Sequence, residues 1–566
     1  MQLEYVAGAC NIGPEEITRR KRAAVAGLVA TLFLGVALVA LGAPSGFGPR
    51  LLIALPLTGA AIGWIQARRR FCMAYGLAGT FNLEKIGNMS RVVDSAALAA
   101  DRRTALIIAA QGLAVGLLGA IVFALIPLNY RRQTRVSDPH PIPLKESRLA
   151  NGLRLITVVD RTAPIATVNL WYHVGSKDER PGRTGFAHLF EHLMFQGSAN
   201  VSKAEHLSLI ESVGGSANAT TWLDRTNYFA TVPAEWVELI LWMEADRLGT
   251  LLAALDQANL DNQRDVVKNE KRSSYDNQPY GTAYLELLAL AYPKGHPYHH
   301  PTIGSMEDLD AASLQDVRDF FATWYAPNNA VLTVVGDIDE AEIAAAVERH
   351  FGGIAANGEL PEHPDLVLSA PLGGEIRKTV KDNVPDPRLH LAFRAPVLAS
   401  PDLPALEIAC QILAGGRGSR LTRRLVRQEQ VAQDAGLSVL PFVGGASLVV
   451  GSATLRPGAN AAMMESLFLE ELAGLAATGP TVNEMERARA LIESEELSLR
   501  SDPESIADQI GMYATLLNDP DRINRDLAIY QAVDAAAVQR AASLFSAENR
   551  VVLWYEPIEQ AAGETE

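Results

Sequence analysis

The sequence predicts an α+β protein made of two similar halves, preceded by a helical membrane region. Three observations carry this. Three apolar runs crowd the first 136 residues. Strand-like and helix-like patterns alternate through the remainder. Their order occurs twice, over about 200 residues each time, which indicates duplicated α+β domains rather than a solenoid. The expected domains are residues 1–136, 141–355 and 371–560, and a chain of 566 residues has the length for them.

Residues 23–42 form an uncharged run of 20, long enough to cross a bilayer core. Residues 104–128 are 25 long, with a single interior Gln111. Residues 51–67 form the weakest candidate, shortened by Pro56 and Gln66. The link 43–50 holds Pro and Gly and suits a hairpin. With three spans, Arg19, Arg20, Lys21, Arg22, Arg68, Arg69, Arg70, Lys85, Arg91, Arg102 and Arg103 share one side. Arg50, Arg131, Arg132 and Arg135 fall on the other. Basic residues favour the cytoplasm, so the expected protein is a multi-pass cell-membrane protein with everything after Leu128 extracytoplasmic. If residues 51–67 do not span, that portion faces the cytoplasm instead. The loop 68–103 carries no motif.

Charge is unevenly distributed. Residues 1–140 hold 15 Lys and Arg against 7 Asp and Glu, so the remainder carries −23 of the chain's −15 net charge. That acidic balance argues against nucleic-acid binding. Cys10, Cys72 and Cys410 are too few for a disulfide framework or a four-thiolate metal site. Cys410 lies in an apolar stretch and reads as core, whereas Cys10 and Cys72 fall on the same membrane side.

In the first half, residues 153–159, 165–174, 228–232 and 331–336 read as strands. Residues 185–195, 203–213, 235–252, 257–274 and 340–351 read as helices. Residues 353–371, rich in Gly, Pro and Asn, read as the linker. Strands at 388–393, 446–455 and 551–555 follow, with helices at 403–414, 419–428 and 460–476.

The chemistry concentrates in His188-Leu189-Phe190-Glu191-His192. Histidines four apart lie on one face of a helix, so both imidazoles reach a single ion. Zinc accepts such nitrogens at roughly 2.0–2.1 Å, and Glu191 projects near the same face to take a proton from water. This H-x-x-E-H order is the inversion of H-E-x-x-H. A solvated helix face would hold the same residues without function. A catalytic zinc also needs a third protein ligand. The helix 257–274 offers several acids, among which spacing does not choose.

The motifs from Leu149 to Ser198 resemble the pitrilysin/insulinase zinc metallopeptidase family, in its mitochondrial-processing-peptidase-like branch. They include Asn151-Gly152-Leu153, Gly175-Ser176, Glu179, Gly185, Ala187-His188, Glu191-His192 and Phe195. Gly214-Gly215, Asn218-Ala219-Thr220-Thr221, Arg225-Thr226-Asn227-Tyr228, His296-Pro297-Tyr298 and Pro301-Thr302-Ile303-Gly304 extend the likeness. It covers about residues 141–560. The resemblance implies Zn2+ held by His188, His192 and Glu270, the last in R-x-x-V-x-x-E register with Arg264 and Val267. It implies Glu191 as general base and two metallopeptidase-like domains closing as a clamshell. It further implies that an extended peptide adds as a strand beside Asn218, Ala219 and Thr220.

Two departures stand out. An acidic residue often precedes the ligand Glu by seven, and here it is Gln263, which bears on tuning of the metal site. An Arg and a Tyr of the second half usually contact substrate. Arg427 is present, but the stretch to Asp434 holds no Tyr. The expected activity is therefore membrane-anchored zinc endopeptidase action on extended peptides. The alternative is a weak or inactive partner subunit, with homo- or hetero-oligomers of related subunits as expected partners. His296, His299 and His300 read as a loop, Gly415–Gly418 as a plain turn, and Trp222 and Tyr228 as pocket-lining or packing aromatics.

Overall fold

A computed structural model describes residues 4–40, 51–83, 89–125, 141–203, 205–368 and 372–558. The hairpin 43–50, Arg50, Lys85, Arg131, Arg132 and Arg135 lie outside the described residues. The chain divides into two compact units, Met1–Pro139 and His140–Glu566.

The first unit contains three helices long and apolar enough to cross a membrane by length and composition. They are α1 (Pro14–Ala40), α2 (Ala54–Arg69, extended to a membrane-length span by the 3-10 turn Leu51–Ile53) and α3 (Ser95–Leu125). Helix α1 starts ahead of its apolar run, so Arg19–Arg22 ride on the helix itself. Pro56 does not break α2, because it sits in the first turn, where its missing N–H has no intrahelical acceptor. Residues ahead of α1 fold back on the α2–α3 connection and on the first turns of α3. Asp101 accepts from the Tyr5 hydroxyl at 3.0 Å and the Gly8 N–H at 2.6 Å. The Asn11 side chain bonds both the N–H and the C=O of Cys72. All three cysteines are free and buried.

The second unit is built on two sheets. The first contains β1 (Leu144–Arg148), β2 (Arg154–Val159), β3 (Ile165–Tyr172), β4 (Ser216–Thr221), β5 (Thr226–Pro233) and β6 (Ala330–Gly336). Helices α4 (Phe186–Leu193), α5 (Val237–Ala254), α6 (Gln257–Lys271) and α7 (Ala283–Ala291) belong to the same half. The second sheet contains β7 (Ile376–Asp382), β8 (Arg388–Ala395), β9 (Ala432–Leu440), β10 (Ser447–Leu455) and β11 (Val551–Pro557). Its half carries α8 (Leu403–Ala414), α9 (Ala461–Thr478), α10 (Val482–Leu499) and α11 (Pro503–Leu516).

The strand orders are β1-β2-β6-β3-β5-β4 and β7-β11-β8-β10-β9. Apart from β1 the two run alike, each with one parallel pair, β2 with β6 and β7 with β11. Each leaves one hairpin strand, β4 or β9, on its outer edge. The α+β duplication expected from the sequence is thus the fold found. Residues 353–368 between the halves contain no helix or strand.

The halves are not independent globules. Helix α11 crosses to the first sheet, where Ile506 and Ile510 pack on Ile156, Trp171 and Val335. A Cβ at Gly511 would stand 2.5 Å from the Trp171 ring, so this helix approaches the sheet as closely as glycine allows. A further shared core joins Tyr280, Leu287 and Tyr298 to Phe442 and Leu553.

Candidate metal centre

Helix α4 is short and amphipathic, with Phe186, Ala187, Leu189, Phe190 and Leu193 buried. Its polar side therefore carries His188, Glu191 and His192. Gly185 stands before it at φ 90°, packed so closely on Gly304 that a Cβ on Gly304 would lie 2.4 Å from backbone. The buried Glu179 carboxylate closes this end, accepting from Gly185 N–H at 3.0 Å and Ala187 N–H at 2.8 Å. The sequence motif thus sits on a helix whose start is fixed by side chain and backbone together.

Helix α6 brings Glu270 to the two histidines. His192 Nε2 lies 3.2 Å from Glu270 Oε2, and His188 Nε2 lies 3.7 Å from Oε1. Among the described residues these three form the one group able to hold a metal, with donors all within 4.8 Å of each other. Tetrahedral zinc with bonds of about 2.0–2.1 Å separates its ligand atoms by about 3.3 Å. The observed separations fit that geometry, and a cation between them satisfies two imidazole lone pairs facing a carboxylate. Burial pushes His188 down to about 4, against the opposing pull of Glu270. Its ring is therefore neutral and able to donate a lone pair at neutral pH. The Glu270 carboxyl is held below its usual range, chiefly by its hydrogen bond with His192 and further by its electrostatic coupling to the two imidazoles, against the effect of burial.

Glu191 is aimed beside the cluster. The Thr221 hydroxyl, at the end of β4, donates to its Oε2 at 2.5 Å. Burial raises the Glu191 carboxyl, with Thr221 and His192 acting the other way. The role of Thr221 was not legible in the sequence, which offered it only as part of an edge-strand motif.

Asn218, Ala219 and Thr220 lie on β4, whose outer edge has no strand partner among the described residues. A half-buried brace stands behind it. Arg225 donates to the Thr220 carbonyl at 2.9 Å and to Asn227 Oδ1 at 2.8 Å. Asn227 in turn donates to Asp508 of α11 at 3.0 Å. No sequence signal ties Asp508 to this strand, because the bond spans 281 positions. Arg427 is exposed on the π-helical turn Thr422–Gln428, without a bond to the metal cluster among the described residues. Gln263 is buried and donates to Asn262, not to a ligand histidine. His188 Nδ1 is buried without a hydrogen-bond partner among the described residues. His296 is structural, accepting from Tyr298 N–H and stacking on Tyr292. Tyr228 is fully buried core, whereas Trp222 is exposed.

Residues 154–304 match the family described as Insulinase (Peptidase family M16), and residues 311–492 match its "Peptidase M16 inactive domain". An uncharacterised zinc protease of Mycobacterium leprae is 30% identical over 341 residues, covering 60% of this chain and 75% of the relative. The chain belongs to the M16 peptidase family. Another M16 relative, zinc protease PqqE of Helicobacter pylori, is 29% identical across 66% of this chain and 84% of its own. A probable mitochondrial-processing peptidase subunit beta of Arabidopsis thaliana is 26% identical across 53% and 59%. A solved protease structure from Helicobacter pylori superposes with TM-score 0.69 at 25% identity, covering 74% of this chain and all of that one. Relatives named as zinc proteases make this M16 chain a member of a zinc-peptidase family.

Proposed function

We propose that the chain is a membrane-anchored zinc metalloendopeptidase that hydrolyses peptide bonds in extended or unfolded chains. The observation that carries this reading is the meeting of His188, His192 and Glu270 with an intact Glu191 beside them. Zinc held by those three side chains would supply Lewis acidity toward the scissile carbonyl and lower the pKa of water toward about 7. Thr221 engages Oε2 of Glu191, which leaves Oε1 to accept a proton from the attacking water. Glu191 then returns that proton to the leaving amine. The open edge of β4 offers backbone groups of Asn218, Ala219 and Thr220 to an extended substrate, fixing the peptide across the site. Arg427 is assigned to substrate contact from the second half.

The test uses the full chain in detergent. Wild type should bind about one zinc per chain and cleave an unfolded peptide, while Glu191→Gln keeps the metal and loses the activity. Wild-type protein that binds no zinc at high purity overturns the reading. The three apolar helices serve as the anchor, with α4 on the extracytoplasmic side. In a variant without native cysteines, a Cys at Ser147 should react with impermeant maleimide in intact cells or spheroplasts, and one at Ser90 only after permeabilisation. Protection of Ser147 would move the site to the cytoplasm.

A second reading, a peptide-binding partner subunit, is favoured by the missing Tyr between Arg427 and Asp434. It requires zinc-loaded wild type to stay inert until a related subunit is added.

A further inference from the structure

A buried charge cluster stands behind the turn that joins β4 to β5. Residues 222–225 form that turn, which follows directly on Thr221, the partner of Glu191. Its backbone is tied to the 3-10 turn Ser176–Asp178 that comes after β3. Ser176 N–H donates to the Trp222 carbonyl at 3.2 Å, and Lys177 N–H to the Leu223 carbonyl at 2.9 Å. A Cβ on Gly175 would stand 2.4 Å from the Leu223 carbonyl oxygen, so the two turns meet backbone to backbone. The Lys177 side chain is only 2% exposed. Its ammonium donates to the Asp224 carbonyl at 3.0 Å and to Asp178 Oδ2 at 3.1 Å, and Asp224 Oδ1 lies 3.9 Å away.

Both carboxylates reach segments outside the first sheet. Asp224 Oδ1 accepts from the Tyr298 hydroxyl at 2.6 Å, and Oδ2 accepts from Val443 N–H at 3.1 Å. Val443 belongs to the second half, in the loop between β9 and β10. That loop is seated on aromatics of the first half. Phe442 packs against Tyr298, and the Ala446 carbonyl accepts from the Tyr292 hydroxyl at 2.7 Å. Asp178 Oδ1 accepts from His363 Nδ1 at 2.7 Å, in the segment between the halves, where the His363 ring stacks on Trp324. Taking a lysine and two carboxylates out of water is costly, and apolar side chains would fill the space with less penalty. The worth of the cluster therefore lies in the directed bonds it makes between segments far apart in the chain.

We propose that Asp224 is a positioning residue that makes the aim of Glu191, through Thr221, depend on the seating of the second half's β9–β10 loop. The proposal rests on the peptidase reading for the role of Glu191. With Val443 N–H and the Tyr298 hydroxyl on Asp224, the turn 222–225 is fixed from both sides, and Thr221 at its start holds Glu191 Oε2. When the loop lifts, Asp224 loses its bond from Val443 and the turn loses its anchor in the second half. Thr221 then no longer fixes the carboxylate. The base is thus aimed when the two halves are seated together, and released when they part.

The experiment is a double-mutant cycle on the full chain in detergent, with zinc content measured for every variant. Asp224→Asn keeps an acceptor for Tyr298 and removes the one for Val443. Tyr298→Phe removes a single hydroxyl and keeps the ring against Phe442, so it tests the tie even where Asp224→Asn folds poorly. Each should lower kcat at least ~10-fold with KM and zinc unchanged. Added to Thr221→Val, each should cost less than ~2-fold more, because both act through the same hydroxyl. Wild-type kcat in both single variants, or losses that multiply with Thr221→Val, overturn the proposal. Amide exchange read by mass spectrometry needs no turnover. In both variants exchange across 216–225 should quicken at least ~10-fold, with α4 unchanged. Cleavage by the wild type with exchange unaltered in the variants keeps the peptidase and removes the tie. Quickened exchange in a chain that neither binds zinc nor cleaves removes the peptidase and keeps the tie between loop and turn.

Discussion

The two halves of the second unit share a strand order and differ in what they do with it. In the first, α4 and α6 converge two imidazoles and a carboxylate within 4.8 Å. In the second, α8 and α10 offer Glu407, Cys410, Gln411 and Glu495 at the same spacings, around open space. The second half has a single histidine, His390, and it lies on a strand. Backbone topology therefore sets where a site falls, and the side chains on two helices decide its chemistry. The buried apolar faces of α4 and α8 could stay similar while the polar faces diverged, because each core reads only its own face.

The largest effect that would sharpen this contrast is loss of the base. Glu191→Gln should lower turnover at least ~10²-fold with zinc and fold retained. Wild-type rates from that variant would remove Glu191 from the chemistry. Next comes the metal itself. Glu270→Gln and His188→Ala should sharply reduce zinc content, while Glu495→Gln, at the matching position of the other half, should leave it intact. Zinc loss from Glu495→Gln would erase the proposed difference between the halves. Thr221→Val removes a charged hydrogen bond worth roughly 1.5–3 kcal/mol, so kcat/KM should fall about tenfold or more at unchanged zinc stoichiometry. Ile510→Ala tests the shared core and should cost about 2–5 kcal/mol by denaturant melt. A loss near zero would detach α11 from the first sheet.

The smallest effect is a pH dependence. Glu496 is raised to about 7, so its charge grows between pH 6 and 8. That shift acts on stability, so a denaturant melt should show stability falling as pH rises from about 5 to 7, and Glu496→Gln should flatten the fall. A carboxyl raised on folding favours the folded state below its ordinary value, and that contribution is lost as pH climbs through 7.

Much of this was legible because local pattern and tertiary role agree. Residues 403–414 read as a helix and form one, and the all-buried β6 announces itself through AVLTVVG. The metal motif needs only helical spacing. Other elements lacked such a signal. β9, with the sequence AQDAGLSVL, alternates weakly and escaped detection, and β4 (SANATT) was visible only through family resemblance. Residues 419–428 read as an ordinary helix, yet most of that stretch is the π-helical turn Thr422–Gln428. The bonds from Asp508 to Asn227 and from Thr221 to Glu191 join distant positions by tertiary geometry alone.

Helix α11 has a consequence for how such a chain can be divided. It is encoded in the second half yet roofs the sheet of the first, with Ile506 and Ile510 against Trp171 and Val335. A gene fragment ending at residue 368 would leave that sheet bare on one side and expose an adhesive apolar patch. Nicking the intact protein within 353–368 is a different matter, since the pieces remain clasped through α11 and elute together. In detergent, two co-expressed fragments split there should therefore reassemble, whereas either one alone should aggregate.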